Sequence, residues 1–154
     1  MKLTEILKKN FIIPDLANND KADVLKELAD FLSKNGVIKD PEGLHKALME
    51  RENLGSTGIG DNVAIPHAKS DEVEFITTLF GRSINGLDFD SLDKKPVHFV
   101  CLVIAPVQST GLHLKALARI ARLLKNPQLR DAILAAKDDE EIYSILMDED
   151  AKFI

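Results

Sequence analysis

"VHFVCLVIA", residues 97–105, is apolar on both of its alternating faces from Phe99 onward. A strand with one wet face alternates apolar and polar side chains, so this run marks a central strand covered on both sides. Two further strand patterns precede it. "NVAIP" (62–66) is short, and "EFITTLFGRS" (74–83) is rich in β-branched and aromatic residues. Helical patterns lie on either side. Upstream are "LTEILKK" (3–9), with Thr4 in the place of an N-cap, and "DKADVLKELADFLSKNG" (20–36). In the latter, Val24, Leu25, Leu28, Phe31 and Leu32 form one stripe that Gly36 stops. "DPEGLHKALMERENLG" (40–55) opens with Asp40 as cap and Pro41 at the first helical position. Downstream, "STGLHLKALARIARLLKN" (109–126), "PQLRDAILAAK" (127–137) and "DDEEIYSILMD" (138–148) continue the helical pattern. Helices around a small buried sheet predict an α/β sandwich in a single domain, residues 1–154.

Composition narrows the function. The 154 residues carry a net charge of −5, with seven Phe, one Tyr and no Trp. Nucleic-acid binding asks for a basic footprint and usually for stacking aromatics, and this chain offers neither. Proteins and small anions are the expected partners. The longest apolar run falls short of the roughly 20 residues of a membrane span. "MKLTEILKKN" has no continuous apolar segment and does not read as a secretory signal. The expectation is a soluble cytoplasmic protein. The single cysteine, Cys101, lies inside the apolar run and reads as a buried structural thiol.

Chemistry concentrates between residues 51 and 73. The loop "GSTGIGDNV" (55–63) spaces Gly55 and Gly60 like a phosphate-binding loop, but Asp61-Asn62 stand where Lys-Ser/Thr should follow. A third glycine for a dinucleotide fingerprint is also missing. The four histidines (His45, His67, His98, His113) never fall at helical metal-ligand spacing, so no metal is expected. His67 follows Pro66, which fixes its own φ and drives Ile65 extended. It reads either as a turn histidine or as an exposed nucleophile beside a glycine-rich backbone able to offer N–H donors to a bound group. Arg51 continues the apolar stripe Leu44, Ala47, Leu48, so it points along the packed face near a helix C-terminus. There it could pair with a carboxylate or grip two oxygens of a phosphoryl group. His113 lies opposite the polar stripe Lys115, Arg119, Arg122, Lys125 and in line with Leu117, Ile120 and Leu124, behind the candidate caps Ser109 and Thr110. It is either a satisfied core histidine or a ring that donates to an anion or orients a second ring. His45 points off its apolar stripe, towards solvent. His98, at the start of the central strand, stays unassigned.

Taken together, "RENLGSTGIGDNVAIPHA" (51–68) and "APVQSTGLHLKALARIARLL" (105–124) resemble the two signatures of the IIA domains of the bacterial phosphoenolpyruvate-dependent phosphotransferase system, in the fructose, mannitol and nitrogen-regulatory superfamily. The likeness covers essentially the whole chain. It implies a mixed β-sheet flanked by helices and a cytoplasmic phosphocarrier. It further implies that His67 accepts a phosphoryl group from a phosphorylated HPr-type protein, the group coming ultimately from phosphoenolpyruvate with no cofactor. His113 then corresponds to the second active-site histidine and Arg51 to the arginine on the phosphoryl oxygens, with Thr57 as a further candidate phosphate contact. The implied recipient is a IIB domain or a regulatory target, with no nucleic acid and no membrane insertion. A non-catalytic regulatory module of the same fold, controlling partners by its phosphorylation state, is the alternative. A metal- or histidine-dependent hydrolase is a third reading, and it predicts phosphoester turnover without HPr.

Overall fold

The computed structural model describes residues 1–109 and 111–153. In chain order the elements are β1 (Ile12–Ile13), α1 (Lys21–Lys34), α2 (Pro41–Asn53), β2 (Gly58–Gly60), β3 (Val63–Ala64), β4 (His67–Ser70), β5 (Thr77–Leu87), β6 (Val97–Pro106), α3 (Leu112–Leu124), α4 (Pro127–Ala135) and α5 (Asp139–Asp150). The expected α/β architecture is present: one mixed sheet flanked by helices. Among the described residues no helix is long and apolar enough to cross a membrane.

β6 is the centre of the sheet, as its two apolar faces require. Phe99 through Ala105 are all buried. β5 pairs with one edge of β6 antiparallel, Leu79 facing Leu102, and β1 adds to β5 in parallel. Along the other edge β6 pairs in parallel with both β3 and β4. Ala64 faces Val100 and His67 faces Val103, so the register carries straight through Ile65-Pro66. Pro66 has no N–H to give the ladder, yet its carbonyl accepts from Val103 N at 2.9 Å. The strand therefore resumes beyond the proline. His67 is the first residue of β4, not a turn residue.

The helix ends follow local chemistry. Asp20 and Asp40 cap α1 and α2 through Asp23 N and Gly43 N. Gly36, at φ +76°, closes α1 with paired bonds from Gly36 N to Ser33 O and from Val37 N to Leu32 O. The N-terminal segment departs from expectation. It forms only a 3₁₀ turn over Leu3–Glu5, with Thr4 inside the turn instead of capping it. So short a segment cannot offset helix nucleation, and it is held instead by the buried Leu3 and by Leu3 N donating to Asp150 Oδ2 at 2.9 Å. His45 is half-buried and bonds across the α1–α2 packing through Nε2 to Ala22 O at 2.9 Å, so it is not a free surface residue.

Cys101 lies in the core, and burial pushes its thiol up to about 12. Iodoacetamide at pH 8 is therefore expected to leave the folded protein unlabelled and to add one group after denaturation, as read by intact mass. Labelling of the native chain would place this thiol at the surface.

Candidate functional site

Three elements converge on one open cleft of about 520 Å³. The end of α2 supplies Arg51 and, just past its last residue, the exposed Leu54; β4 supplies His67 and Lys69, and the first turns of α3 supply His113 and Leu117. The sequence placed Arg51, His67 and His113 on three separate segments; the fold brings all three into this cleft. Two of them touch, with Arg51 Nε–H donating to His67 Nε2 at 3.3 Å.

The ring of His67 is fixed by its other nitrogen. Nδ1 lies 2.9 Å from Ile65 O, and a carbonyl can only accept, so Nδ1 carries the proton. Nε2 then keeps its lone pair and faces the cleft beside the guanidinium. The stiff Ile65-Pro66 step places that carbonyl two residues before the ring it orients. Arg51 is anchored a second time, with Nη1 donating to Gly55 O at 2.9 Å. Of the two roles open for Arg51, no carboxylate pairing is present among the described residues; its partners there are a ring nitrogen and a carbonyl.

His113 is half-buried, and its Nδ1 lies 3.0 Å from Ser109 O. The same reasoning puts a proton on Nδ1, which leaves a bare Nε2 in the neutral ring. A ring held this way donates to an anion from Nε2 only as an imidazolium. Ser109 acts through its carbonyl and not as a side-chain cap. The cap position of α3 is Gly111, without a capping side chain. Thr110 lies outside the described residues.

The glycine loop does something other than what its spacing suggested. Asp61 and Asn62 both have positive φ, 56° and 65°, and join β2 to β3 with the sign pattern of a type I′ hairpin turn. The Asp-Asn pair that broke the phosphate-loop pattern is a turn signal. Nor are the N–H groups of Thr57 and Gly58 free for a ligand. Thr57 N donates to Glu52 Oε1 at 3.0 Å, and Gly58 N to Ser56 Oγ at 3.1 Å. Thr57 is buried, its hydroxyl donates to Glu52 Oε2, and it is not among the residues lining the cleft. The fold thus gives it no direct contact with a bound phosphate. Sequence reasoning passed over Glu52 as a side chain in its own right. Its carboxylate is buried and also meets Lys21 Nζ at 3.0 Å. Among the described residues no group of three or more His, Cys, Asp or Glu is placed to hold a metal ion.

Comparison with known proteins places this geometry. The family model "Phosphoenolpyruvate-dependent sugar phosphotransferase system, EIIA 2" matches residues 5–149. The chain is 40% identical over 148 residues to a nitrogen regulatory protein of Bradyrhizobium diazoefficiens, covering 95% of each. It is 37% identical over 150 residues to the fructose-specific EIIABC component of the phosphotransferase system of Bacillus subtilis, of which it spans only 24%. Among solved structures, nitrogen regulatory protein IIA-Ntr from Neisseria meningitidis superposes with a TM-score of 0.85 at 30% identity, over 94% of this chain and 98% of that one. With a family model spanning nearly all of it and near-full-length relatives at this identity, the chain belongs to the EIIA 2 family of the phosphoenolpyruvate-dependent sugar phosphotransferase system.

Proposed function

We propose that the chain is a phosphocarrier whose His67 accepts a phosphoryl group through Nε2 from the phosphohistidine of an HPr-type protein, and whose phosphorylation state is then read by partner proteins. The observation that carries this reading is a tautomer-fixed imidazole with its bare nitrogen 3.3 Å from an arginine, in an open cleft shared with a second histidine. In the transfer step the Nε2 lone pair forms the new P–N bond while the donor's P–N bond breaks, its electron pair returning to the donor ring. The proton stays on Nδ1, donated in a hydrogen bond to the Ile65 carbonyl. Positioning and stabilisation of the equatorial oxygens supply most of the catalysis in such transfers. Arg51 can turn its guanidinium from Nε2 to those oxygens. His113 turns its Nε2 to the same cleft, where its imidazolium form donates to those oxygens. The apolar rim that includes Leu54 and Leu117 suits approach of a partner and keeps competing water sparse.

The signalling branch is supported by the near-full-length likeness to nitrogen regulatory proteins. Onward transfer to a IIB domain of a sugar permease is the second reading, favoured by the likeness to a fructose-specific component. Both rest on the same step, so one experiment comes first: intact mass after incubation with phosphoenolpyruvate, enzyme I and an HPr-type protein. An acid-labile gain of one phosphoryl group is expected. No gain with several HPr-type donors would overturn the carrier reading. Adding purified IIB domains to the phosphorylated chain then separates the branches, because loss of the group to a IIB domain favours the sugar relay.

Arg51→Lys keeps the charge and loses the planar fork. Initial phosphorylation is expected to slow by about tenfold to a hundredfold with the fold intact. A rate within twofold of wild type, measured by quenched-flow mass spectrometry, would remove Arg51 from the transfer.

A further inference from the structure

The buried carboxylate of Glu52 has no part in the transfer as described, yet it is the most heavily bonded side chain near the cleft. It sits one residue after Arg51, in the last turn of α2, with its side chain turned away from the cleft and into the fold. Its two oxygens take Thr57 N at 3.0 Å and the Thr57 hydroxyl, closing a short ring from the helix end to β2. Gly55 N returns to Glu52 O at 3.0 Å inside that ring. Lys21, at the start of α1, supplies the counter-charge at 3.0 Å and reaches Ser56 Oγ at 3.4 Å. Its ammonium also lies 5.0 Å from the ring centre of Phe89, so it is held from several sides.

This ring contains Gly55, and the Gly55 carbonyl takes Arg51 Nη1 at 2.9 Å. Gly55 has φ +150°, a conformation that a side chain rarely adopts, so the direction of its carbonyl depends on the loop being held. The guanidinium therefore has two anchors: a carbonyl whose position Glu52 sets, and the nucleophile itself. If the ring opens, Arg51 loses the first anchor and with it the angle at which Nε meets His67 Nε2. A buried ion pair of this kind is weak evidence for stability but a good device for fixing one geometry.

The geometry points to Glu52, with Thr57 and Lys21, as a set of positioning residues that act on phosphoryl transfer through the Gly55 carbonyl and Arg51. The inference deepens the phosphocarrier reading and rests on it for its kinetic consequence. Thr57, which the sequence suggested as a phosphate contact, enters here one step removed from the phosphate.

Two variants test it. Thr57→Val removes the hydroxyl while keeping the β-branched shape. Lys21→Met/Glu52→Gln removes both charges together, so that neither is left buried alone. Circular dichroism and thermal melts establish that each is folded at the assay temperature. The first readout needs no phosphoryl donor: the ¹⁵N resonances of Arg51 Nε and His67 Nε2 in the full chain. Both are expected to shift in both variants as the 3.3 Å contact is lost. The second is phosphorylation kinetics with phosphorylated HPr-type protein. The maximal rate is expected to fall on the order of tenfold, with KM for the donor changed less than twofold, because docking surfaces are untouched. Unchanged Arg51 and His67 resonances in the folded variants would overturn the inference, even if the rate fell. A full transfer rate despite shifted resonances would overturn it too. Failure of the wild type to accept a phosphoryl group would strike the phosphocarrier reading alone, since the resonance readout stands without it.

Discussion

His67→Ala is expected to take up no phosphoryl group, while wild type under the same conditions gains one. Among the described residues no other cleft side chain is equivalent: His113 also keeps a bare Nε2, its Nδ1 being bonded to Ser109 O, but only the Nε2 of His67 is met by a guanidinium. Loss of the ring should leave the fold in place. His67 is only half-buried and makes one bond to a backbone carbonyl, which is worth about 1 kcal/mol or less to stability. The comparison therefore separates chemistry from folding: thermal melts should nearly coincide while the mass shift disappears. Phosphorylation of the alanine variant at another residue would move the acceptor elsewhere and dismantle the proposed site.

Arg82→Leu should have the largest effect on stability. Arg82 lies on β5 and is 2% exposed. Its guanidinium donates to Pro14 O at 2.9 Å, Ile133 O at 2.9 Å and Ala136 O at 2.5 Å. The last two carbonyls belong to the C-terminal end of α4, where the helix presents partial negative charge. The nearest carboxylate, Asp15, is 3.8 Å away and 75% exposed, so backbone carbonyls carry most of the neutralisation. Leucine would fill much of the volume and leave the Pro14 and Ala136 carbonyls without their donor, while Ile133 O keeps Ala136 N at 3.2 Å. At about 1–3 kcal/mol for each of the two buried carbonyls left unpaired, the expected loss is roughly 2–6 kcal/mol. That is a large share of the about 5–15 kcal/mol that holds an ordinary domain together. Arg82→Lys should recover only part, because one ammonium cannot reach three acceptors in different directions. Urea unfolding measures both. A loss under about 1 kcal/mol for the leucine variant would mean that water replaces the guanidinium.

Some of this was readable in the chain and some was not, and the division follows the range of the interactions. Asp40 with Pro41 and the glycine at position 36 act within a few residues, so helix boundaries at α1 and α2 could be read directly. The burial of β6 could also be read, since seven consecutive apolar side chains admit no wet face. By contrast β1 is two residues long and β2 three, and β4 resumes past a proline. Strands so short exist only because a partner completes their hydrogen bonds, and no local pattern announces the partner. The same holds for Arg82, which looks like an ordinary strand residue until α4 and the segment before α1 close around it.

The site divides in the same way. By itself the sequence determined that His67 follows a stiff proline step, that Arg51 ends a helix on its packed face, and that His113 opens another on its inward face. These are consequences of φ restriction and of the 3.6-residue period, and they hold before any folding. Only the tertiary structure decided that the three meet in one cleft, which nitrogen of each histidine is bare, and that the N–H and hydroxyl of Thr57 are spent on a buried glutamate. Those outcomes depend on acceptors two to five residues away whose orientation is set by the sheet and by α1 packing. A hydrogen bond of 2.9 Å to Ile65 O chooses the nucleophilic atom, and that distance exists only once β3 and β4 lie in register along β6.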